Sequence, residues 1–271
     1  MAIDLSKLVG LGAKLLDNNR LEFGGGVDLE KMSVRTHEDL AVVCADQSLK
    51  LEDDAAYYMY RNVHMIGDEN LLKENNQRFD LTVIPAGMLG KEYIKTSGHY
   101  HPTKPGTEVE YPELYFVVHG QATYLMQKHD QNGAISDVIV ARVRAGEAIM
   151  MPPFYGHVTI NETSDTLVMA NWVEANFASV YGDYELKIGG AYYVKTKNLK
   201  PKTQNNYIYE VNPNYGEVAE IREAATVPLC LASLKGVPIY DYRKHMDEIE
   251  LVAYPEKHIE DFRVEKLFKF V

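Results

Sequence analysis

The chain has 271 residues, 46% of them hydrophobic, which is enough to bury one large all-β domain or one domain with extensions. Its 28 basic and 39 acidic residues give a formal net charge of −11, which argues against sequence-independent binding to nucleic acid or to anionic membrane surfaces. The two cysteines, Cys44 and Cys230, are too few for a disulfide framework and are expected to be small core residues. No apolar run approaches the roughly 20 residues of a membrane-spanning helix, so a cytoplasmic protein is expected.

The first quarter of the chain combines helical and extended signals. Apolar side chains recur at helical spacing over residues 4–16, which predicts an amphipathic helix despite two internal glycines. A triple glycine at residues 24–26 interrupts the chain, and residues 36–40 begin with a capping threonine and an acidic first turn, which predicts a short helix. The tyrosine-rich residues 52–65 fit a helix or a strand equally well.

From Phe79 onward, apolar and polar side chains alternate with a period of two, as they do in half-buried strands. Many short strands at near-regular spacing are typical of a sandwich or a barrel. The alternation weakens after Tyr184, and residues 256–262 are predicted to form a short helix. The predicted strands cover residues 79–84, 114–118, 122–127, 138–143, 147–151, 157–161 and 167–172.

Four side chains near the middle of the chain have the chemistry of a metal site. His99 and His101 are two residues apart, so on an extended strand both imidazoles lie on the same face. Glu113 begins an apolar run that ends at a glycine, and His157 begins another alternating segment. Three imidazoles and one carboxylate that meet inside a barrel would suit iron, manganese, nickel or zinc.

The spacing of these residues resembles the two motifs of the cupin superfamily. In the first motif a HisXHis pair is followed by a glutamate and, six residues later, by a glycine, which here are Glu113 and Gly120. The spacer after His101 is longer than in most cupins and leaves Glu108 and Glu110 as rival carboxylates, but only Glu113 has the right distance to the glycine. Phe154 replaces an internal glycine of the second motif. The residues that match the second motif are Gly146, Pro152, His157 and Asn161.

Two segments resemble a narrower group, the cupin-type glucose-6-phosphate isomerases of archaea and some bacteria. They are GKEYIKTSGHYHP at residues 90–102 and YPELY at residues 111–115, and the resemblance is specific over residues 81–184. It implies a mostly β fold, a cupin barrel (double-stranded β-helix, or jelly roll) with helical N- and C-terminal extensions. The expected division is an N-terminal extension at 1–75, the barrel with the metal site at 76–186 and a C-terminal extension at 187–271.

The activity that this resemblance implies is the interconversion of glucose 6-phosphate and fructose 6-phosphate, in glycolysis or gluconeogenesis, by a cytoplasmic homodimer with one divalent metal ion. Fe²⁺ is the first choice, with Mn²⁺, Ni²⁺ or Zn²⁺ as alternatives. The implied metal ligands are His99, His101, Glu113 and His157. The positions that match the sugar-phosphate pocket of the family are Thr82, Thr96, Gly98, Tyr115 and Tyr181, with Trp172 or Val173 at an aromatic pocket position.

Several further pocket assignments rest on weaker signals. Ser179 replaces a histidine that some members of the family carry, and Tyr60 is a further pocket candidate from the tyrosine-rich segment. Lys95 and Arg142 are hypothesised as counter-charges for a phosphate. The remaining histidines are interpreted as ordinary solvated or packing residues, namely His37, His64, His119, His129, His245 and His258.

The chemistry of aldose–ketose isomerisation allows two mechanisms at such a site. Glu113 is the catalytic base in an enediol mechanism, with Tyr115 helping to move oxygen protons. A metal-assisted hydride shift needs only polarised oxygens, and the sequence leaves both mechanisms open. Because cupin barrels carry unrelated chemistries, another sugar-phosphate isomerase, a metal-dependent dioxygenase and a sugar-binding sensor are the competing hypotheses. The glutamate ligand argues against the dioxygenase.

Overall fold

Segments with alternating apolar and polar residues form the strands of the protein, as seen in a computed structural model. The structure describes residues 2–50, 54–176, 178–197, 207–226 and 234–271. The architecture is the mostly β fold predicted from the sequence, with two large sheets. Cys230 lies outside the described residues. Cys44 is buried, as expected of a small core residue, and forms no disulfide with any residue that the structure describes.

The larger sheet supplies one wall of the functional site. Its strands, numbered along the chain, are β5 (Lys31–Thr36), β6 (Ala55–Arg61), β8 (Gln77–Ile84), β11 (Glu113–His119), β14 (Ala148–Met151) and β16 (Leu167–Glu174). Within the described residues they are hydrogen-bonded in the order β14-β11-β16-β8-β6-β5, and every pair is antiparallel. Glu113 is the first residue of β11, the second strand in this order.

The second large sheet supplies the opposite wall. It contains β12 (Gln121–His129), β13 (Ile135–Arg144), β15 (Gly156–Ile160), β19 (Ile221–Thr226) and β20 (Phe268–Phe270). Among the described residues its order is β15-β12-β13-β19-β20, with β13 and β19 parallel. The segment before His99 extends this sheet through two isolated bridges, Lys95 with Ile160 and His99 with His157.

Smaller elements surround the two walls. The short strands are β1 (Ile3–Asp4), β2 (Ala13–Leu15), β3 (Leu21–Phe23), β4 (Val27–Asp28), β7 (His64–Met65), β9 (Met88–Leu89), β10 (Glu92–Tyr93), β17 (Tyr192–Thr196) and β18 (Tyr207–Val211). The α-helices are α1 (Ser6–Val9), α2 (His37–Leu40), α3 (Glu69–Glu74), α4 (Gly182–Leu186) and α5 (Val264–Leu267). Helical turns of the 3-10 type cover Ala41–Val43, Ile239–Lys244, Glu250–Val252, Pro255–Lys257 and Ile259–Phe262. No helix in the described part of the chain has the length and apolar character needed to traverse a bilayer.

Residues 239–252, called the C-terminal segment below, pack against the face of the larger sheet that is opposite the functional site. Trp172 is fully buried, its ring stacks on Tyr240, and its indole N–H donates a hydrogen bond of 2.8 Å to the carbonyl of Ile239. The Gln77 side chain donates a similar bond of 2.9 Å to the carbonyl of Ile249. Burying an aromatic side chain of this kind is worth about 2–3 kcal/mol, so this segment is part of the core rather than an appendage.

The helix predicted for residues 4–16 is wrong over most of its length. Only Ser6–Val9 is helical, and Gly10 ends the helix with a positive φ of 90°, after which Ala13–Leu15 is a strand. Glycine adopts the left-handed conformation without strain, so a helix with a glycine after its first turn ends there readily. The apolar residues of this segment still face the core, but from a strand and one helical turn.

Two other assignments from the sequence can now be compared with the structure. The helix predicted at residues 36–40 is confirmed as His37–Leu40, with a capping box between Thr36 and Asp39. The ambiguous tyrosine-rich segment forms β6, and residues 256–262 lie in two 3-10 turns. The two large sheets include strands on both sides of the expected barrel boundaries, namely β5 and β6 before residue 76 and β19 and β20 after residue 186.

Candidate active site

Two backbone hydrogen bonds hold two of the histidines side by side. The N–H of His99 donates to the carbonyl of His157 at 3.2 Å, and the N–H of His157 donates to the carbonyl of His99 at 3.0 Å. Directly paired residues project to the same face of a sheet, and the centroids of these two rings are 4.5 Å apart. His101, two residues after His99, adds a third ring 5.1 Å from that of His99.

Glu113 completes a cluster of four donor atoms. Its Oε2 lies 3.2 Å from Nε2 of His101, 3.6 Å from Nε2 of His157 and 3.9 Å from Nε2 of His99. The Nε2 atoms of His99 and His101 are 3.2 Å apart. Each of the four residues offers one ligand atom, and all four atoms lie within 4.8 Å of one another. The rival carboxylate of Glu110 instead accepts a hydrogen bond from the N–H of Phe154 at 3.1 Å.

These distances fit donors around a single cation. Ligands about 2.1 Å from an ion lie about 3.0–3.5 Å apart when they are neighbours and about 4.2 Å apart when they are opposite each other, and the four distances fall between these limits. His101 is oriented by its second nitrogen, since Nδ1 lies 2.7 Å from the carbonyl oxygen of Tyr111. If Nδ1 carries the proton, the lone pair of Nε2 points at the other donors, which is the usual arrangement of a ligating histidine. The donor set therefore fits a divalent metal ion.

Burial favours the neutral form of two of the imidazoles, those of His99 and His157, and the neutral imidazole is the form that binds metal. Burial lowers the pKa of His157 to about 4, with the neighbouring His101 as the next cause. Burial, followed by the charges of His157 and His101, lowers the pKa of His99 well below its usual value. For Glu113 burial acts to raise the pKa, but the hydrogen bond and charge of His101 outweigh it, so the pKa is lowered and the carboxylate is ionised.

A pocket with about 510 Å³ of empty space opens beside the cluster. Alternation along the strands decides which side chains line it, because every second residue faces inward. Tyr57, Met59 and Arg61 alternate along β6, and Glu113 and Tyr115 do so on β11. The other lining residues are Arg78, Thr82, Thr96, Ser97, Gly98, His99, Met169, Asn171, Ser179 and Tyr181.

Most residues that the sequence assigned to the pocket do line it: Thr82, Thr96, Gly98, Tyr115, Ser179 and Tyr181. Tyr115 is also near the cluster, since its hydroxyl lies 3.3 Å from Nε2 of His157. The side chain of Thr96 accepts a hydrogen bond from the N–H of Thr159 at 3.0 Å. Gly98 adopts a positive φ of 78° immediately before His99.

Two aromatic assignments are corrected. Tyr60 lies on the opposite face of β6 from the pocket, where its hydroxyl accepts a hydrogen bond of 2.9 Å from the N–H of Leu21. Trp172 faces the C-terminal segment, and its neighbour Asn171 lines the pocket instead. Both errors have one cause, because a shift of one residue along a strand exchanges its two faces.

The two hypothesised counter-charges are also corrected. Lys95 is buried in an ion pair with Glu92, 2.5 Å away, and donates to the carbonyl of Val43. Arg142 is paired with Glu162 at 2.6 Å. Neither residue lines the pocket beside the histidines.

Arg61 and Arg78, which the sequence reasoning missed, are the cationic side chains that line the pocket among the described residues. Both pair with the fully buried carboxylate of Asp80, Arg61 at 2.7 Å and Arg78 at 3.0 Å. The alternation of Arg78, Asp80 and Thr82 with apolar residues along β8 put these three residues on one face, so the sequence held a signal for Arg78. Arg61 meets Asp80 only through the pairing of β6 with β8.

Phe154, which stands where the second motif has a glycine, keeps a backbone conformation typical of glycine. It has a positive φ of 71°, the left-handed conformation that glycine adopts without strain and that costs another residue about 1 kcal/mol or more. The backbone shape that the motif requires is therefore retained, although the glycine is not.

Comparison with known proteins places this site in a family. A family model described as glucose-6-phosphate isomerase matches residues 34–210, more than half of the chain. The glucose-6-phosphate isomerase of Thermococcus litoralis is 26% identical over 166 residues, which cover 60% of this chain and 80% of that protein. That of Pyrococcus furiosus is 26% identical over 172 residues, which cover 59% and 82%.

The solved structures give a weaker likeness. An oxalate oxidase in complex with the substrate analogue glycolate has a TM-score of 0.28 and 19% identity, covering 38% of this chain and 42% of the other. A similarity of that size adds nothing to the argument from the strands and the site. The family match spans β5 to β18 and includes all four residues of the cluster. The chain therefore belongs to the glucose-6-phosphate isomerase family.

Proposed function

We propose that the protein is a metal-dependent isomerase that interconverts glucose 6-phosphate and fructose 6-phosphate. The observation that supports this most strongly is the convergence of His99, His101, Glu113 and His157 at the wall of a polar pocket, in a chain that belongs to this family.

The four clustered residues would hold one divalent ion, with Fe²⁺ as the first choice and Mn²⁺, Ni²⁺ or Zn²⁺ as alternatives. When bound, such an ion acts as a Lewis acid that stabilises negative charge on the substrate oxygens. Because His99 and His157 have lowered pKa values, both imidazoles are neutral at pH 7 and need lose no proton to bind metal.

Glu113 and Tyr115 are the residues that would handle protons. Burial, followed by the charge of Glu113, raises the pKa of Tyr115 well above its usual value, so its hydroxyl stays protonated and is a hydrogen-bond donor. The lowered pKa of Glu113 makes it a weak base, which leaves both proton transfer through an enediol and a direct hydride shift within the proposal. Turnover in D₂O separates them, since only proton transfer exchanges the migrating hydrogen with solvent.

The oligomeric state and the cellular setting are also proposals. We take the protein to act as a homodimer in the cytoplasm, in glycolysis or gluconeogenesis, on a small-molecule sugar phosphate. The supporting observations are the family and the names of the relatives. Sedimentation equilibrium tests the dimer, and a molar mass equal to that of one chain would reject it.

A coupled assay tests the activity. Purified protein is incubated with fructose 6-phosphate, and glucose 6-phosphate is measured with a dehydrogenase, before and after treatment with EDTA and after adding back each of the four metals. We expect activity that chelator abolishes and metal restores. If no glucose 6-phosphate forms with any metal, the proposed function is wrong.

A further inference from the structure

We propose that Arg61 and Arg78, held together by Asp80, form the subsite that binds the phosphate group of the substrate. This inference rests on the proposed function and adds the residues that recognise the anion. The resemblance to the family supplied hydroxyl and backbone donors for the phosphate but no cation, and the two cations first considered, Lys95 and Arg142, are engaged outside the pocket.

The contacts of Asp80 hold the two arginine side chains in fixed positions. Its carboxylate has no exposed surface and accepts four contacts, from Nη1 of Arg61 at 2.7 Å, from Nε of Arg78 at 3.1 and 3.0 Å and from the N–H of Asn62 at 2.8 Å. The carboxylate thus fixes the inner edge of each guanidinium. A fixed arginine loses little entropy when its outer nitrogens bind a second oxyanion.

The outer nitrogens are available for that purpose. Among the described residues, the hydrogen-bond partner of Nη2 of Arg61 is the thioether sulfur of Met59, at 3.3 Å, and a thioether is a weak acceptor. Nη1 of Arg78 donates to the carbonyl of Ala175 at 3.2 Å, and its Nη2 has no hydrogen-bond partner within the described residues. The side chains are 32% and 20% exposed, and both line the pocket.

The register of the strands places Asp80, which holds the two arginines, in the same row across the sheet as Tyr115. Tyr115 pairs with Asn171, and Asn171 pairs with Asp80, so two strand spacings of about 4.8 Å separate Tyr115 from Asp80. Thr82 is two residues from Asp80 on the same face of β8, and it pairs directly with Met59, whose sulfur contacts Arg61.

The charges also match. Two guanidiniums and one carboxylate carry a net charge of +1, and a divalent ion with Glu113 carries another +1. A phosphate dianion neutralises both, so the filled pocket has no net charge from these groups. Without an anion, the positive charge of the arginine pair is unbalanced in a partly buried pocket.

The test uses Arg78→Gln, which leaves Asp80 paired with Arg61, so that no buried carboxylate loses its last cation. The matched control is Arg142→Gln, a part-buried arginine paired with a carboxylate outside the pocket. In the metal-loaded enzyme we expect Arg78→Gln to raise KM for fructose 6-phosphate and the inhibition constant of inorganic phosphate by about 10- to 100-fold, as for loss of a charge-assisted hydrogen bond. We expect kcat to change less than about threefold and the control to behave as wild type.

Two further measurements distinguish a loss of phosphate binding from a general disruption of the pocket by the substitution. The rate with unphosphorylated fructose should stay unchanged, so the preference for the phosphorylated sugar falls. If Arg78→Gln fails to fold, the neutral triple variant Arg61→Gln, Asp80→Asn, Arg78→Gln keeps the hydrogen-bonding groups and should lose phosphate binding. A folded variant whose affinity for inorganic phosphate is unchanged would overturn the inference, as would an equal loss of rate on fructose and on fructose 6-phosphate.

Calorimetric titration of inorganic phosphate into the metal-loaded wild type separates this inference from the proposed function. Phosphate that binds the wild type but not Arg78→Gln supports the arginine pair even if no sugar is isomerised. If fructose 6-phosphate is isomerised but phosphate affinity is the same in both proteins, only the arginine pair is wrong.

Discussion

Glu113 is the side chain that joins the donor cluster to the pocket, since it contacts all three histidines and lines the cavity. We predict that Glu113→Gln lowers kcat by at least about 100-fold at saturating metal, because it removes both an anionic ligand and a base. The coupled assay gives the rate, and elemental analysis of the same sample gives the metal content. Near-normal activity with metal retained would exclude both functions of Glu113.

His157 should make the metal-free protein sensitive to acid. Its pKa is about 4 in the folded state, because of burial, against about 6.5 in the unfolded chain. Between these values the unfolded state binds a proton that the folded state excludes, so stability rises with pH across this window and is lost as the pH falls. At pH 5 the loss relative to pH 7.5 is about 2 kcal/mol from this residue.

The variant His157→Gln lacks the titrating imidazole, so comparison with wild type isolates the contribution of His157 to the pH dependence of stability. Urea unfolding in EDTA at pH 7.5 and pH 5.0 gives the free energy of unfolding for both proteins. We expect the variant to lose about 2 kcal/mol less than wild type between the two pH values. An identical loss in both proteins would show that the ring of His157 is not protected from protonation.

The extended segment before His99 depends on a close approach of its backbone to a buried side chain. A Cβ at Gly98 would lie 2.5 Å from Cδ1 of Tyr184 and 2.7 Å from Cγ2 of Val158, and the residue has a positive φ of 78°. We predict that Gly98→Ala destabilises the protein by about 2–4 kcal/mol and weakens metal binding, because the displaced backbone carries His99 with it. Urea unfolding and metal titration measure the two effects.

Gly182→Ala is the matched control, since a Cβ at that position meets no atom within 4 Å. Gly182 begins α4, and alanine in a helix is at least as stable as glycine. We expect this control to unfold at the same or a slightly higher urea concentration. If Gly98→Ala behaves in the same way, the contact with Tyr184 does not restrict the segment.

The strands could be predicted because a period of two is a local property of the sequence, and the HisXHis spacing placed two imidazoles on one face for the same reason. Which face turns toward the pocket depends on the neighbouring strands, which no local pattern reveals. Tyr60 and Trp172 were assigned to the wrong face for this reason. Arg61 and Arg78 were missed because their common partner, Asp80, is adjacent to Arg61 only through strand pairing.

The helix predicted for residues 4–16 was wrong for a different physical reason. Its apolar spacing satisfies a helix, but packing of Ala13–Leu15 against β1 and β3 supplies hydrogen bonds that a glycine-containing helix could not match. Tertiary pairing therefore outweighed the local pattern. The cluster of His99, His101, Glu113 and His157 could be predicted from the spacing of these residues together with the family resemblance, although 43 residues separate Glu113 from His157 in the sequence.

At the scale of the whole molecule, the C-terminal segment and the barrel share one core. Trp172 is the only tryptophan and packs between Phe79 and Tyr240, so its emission reports whether this segment is docked. We predict that tryptophan fluorescence and far-UV circular dichroism give one coincident urea transition, because undocking exposes the barrel core. A fluorescence change at clearly lower urea would show that the segment unfolds separately.

The alternation along β16 sets a limit on how this sequence can diverge. Asn171 borders the pocket while Trp172 anchors the C-terminal segment, and they are consecutive residues. Inserting or deleting one residue in this strand would exchange its two faces, so that Trp172 would face the pocket and Asn171 would face the apolar layer on the other side of the sheet. We therefore expect a single-residue insertion or deletion in this strand to be more damaging than one at the exposed hairpin tip at residues 130–133.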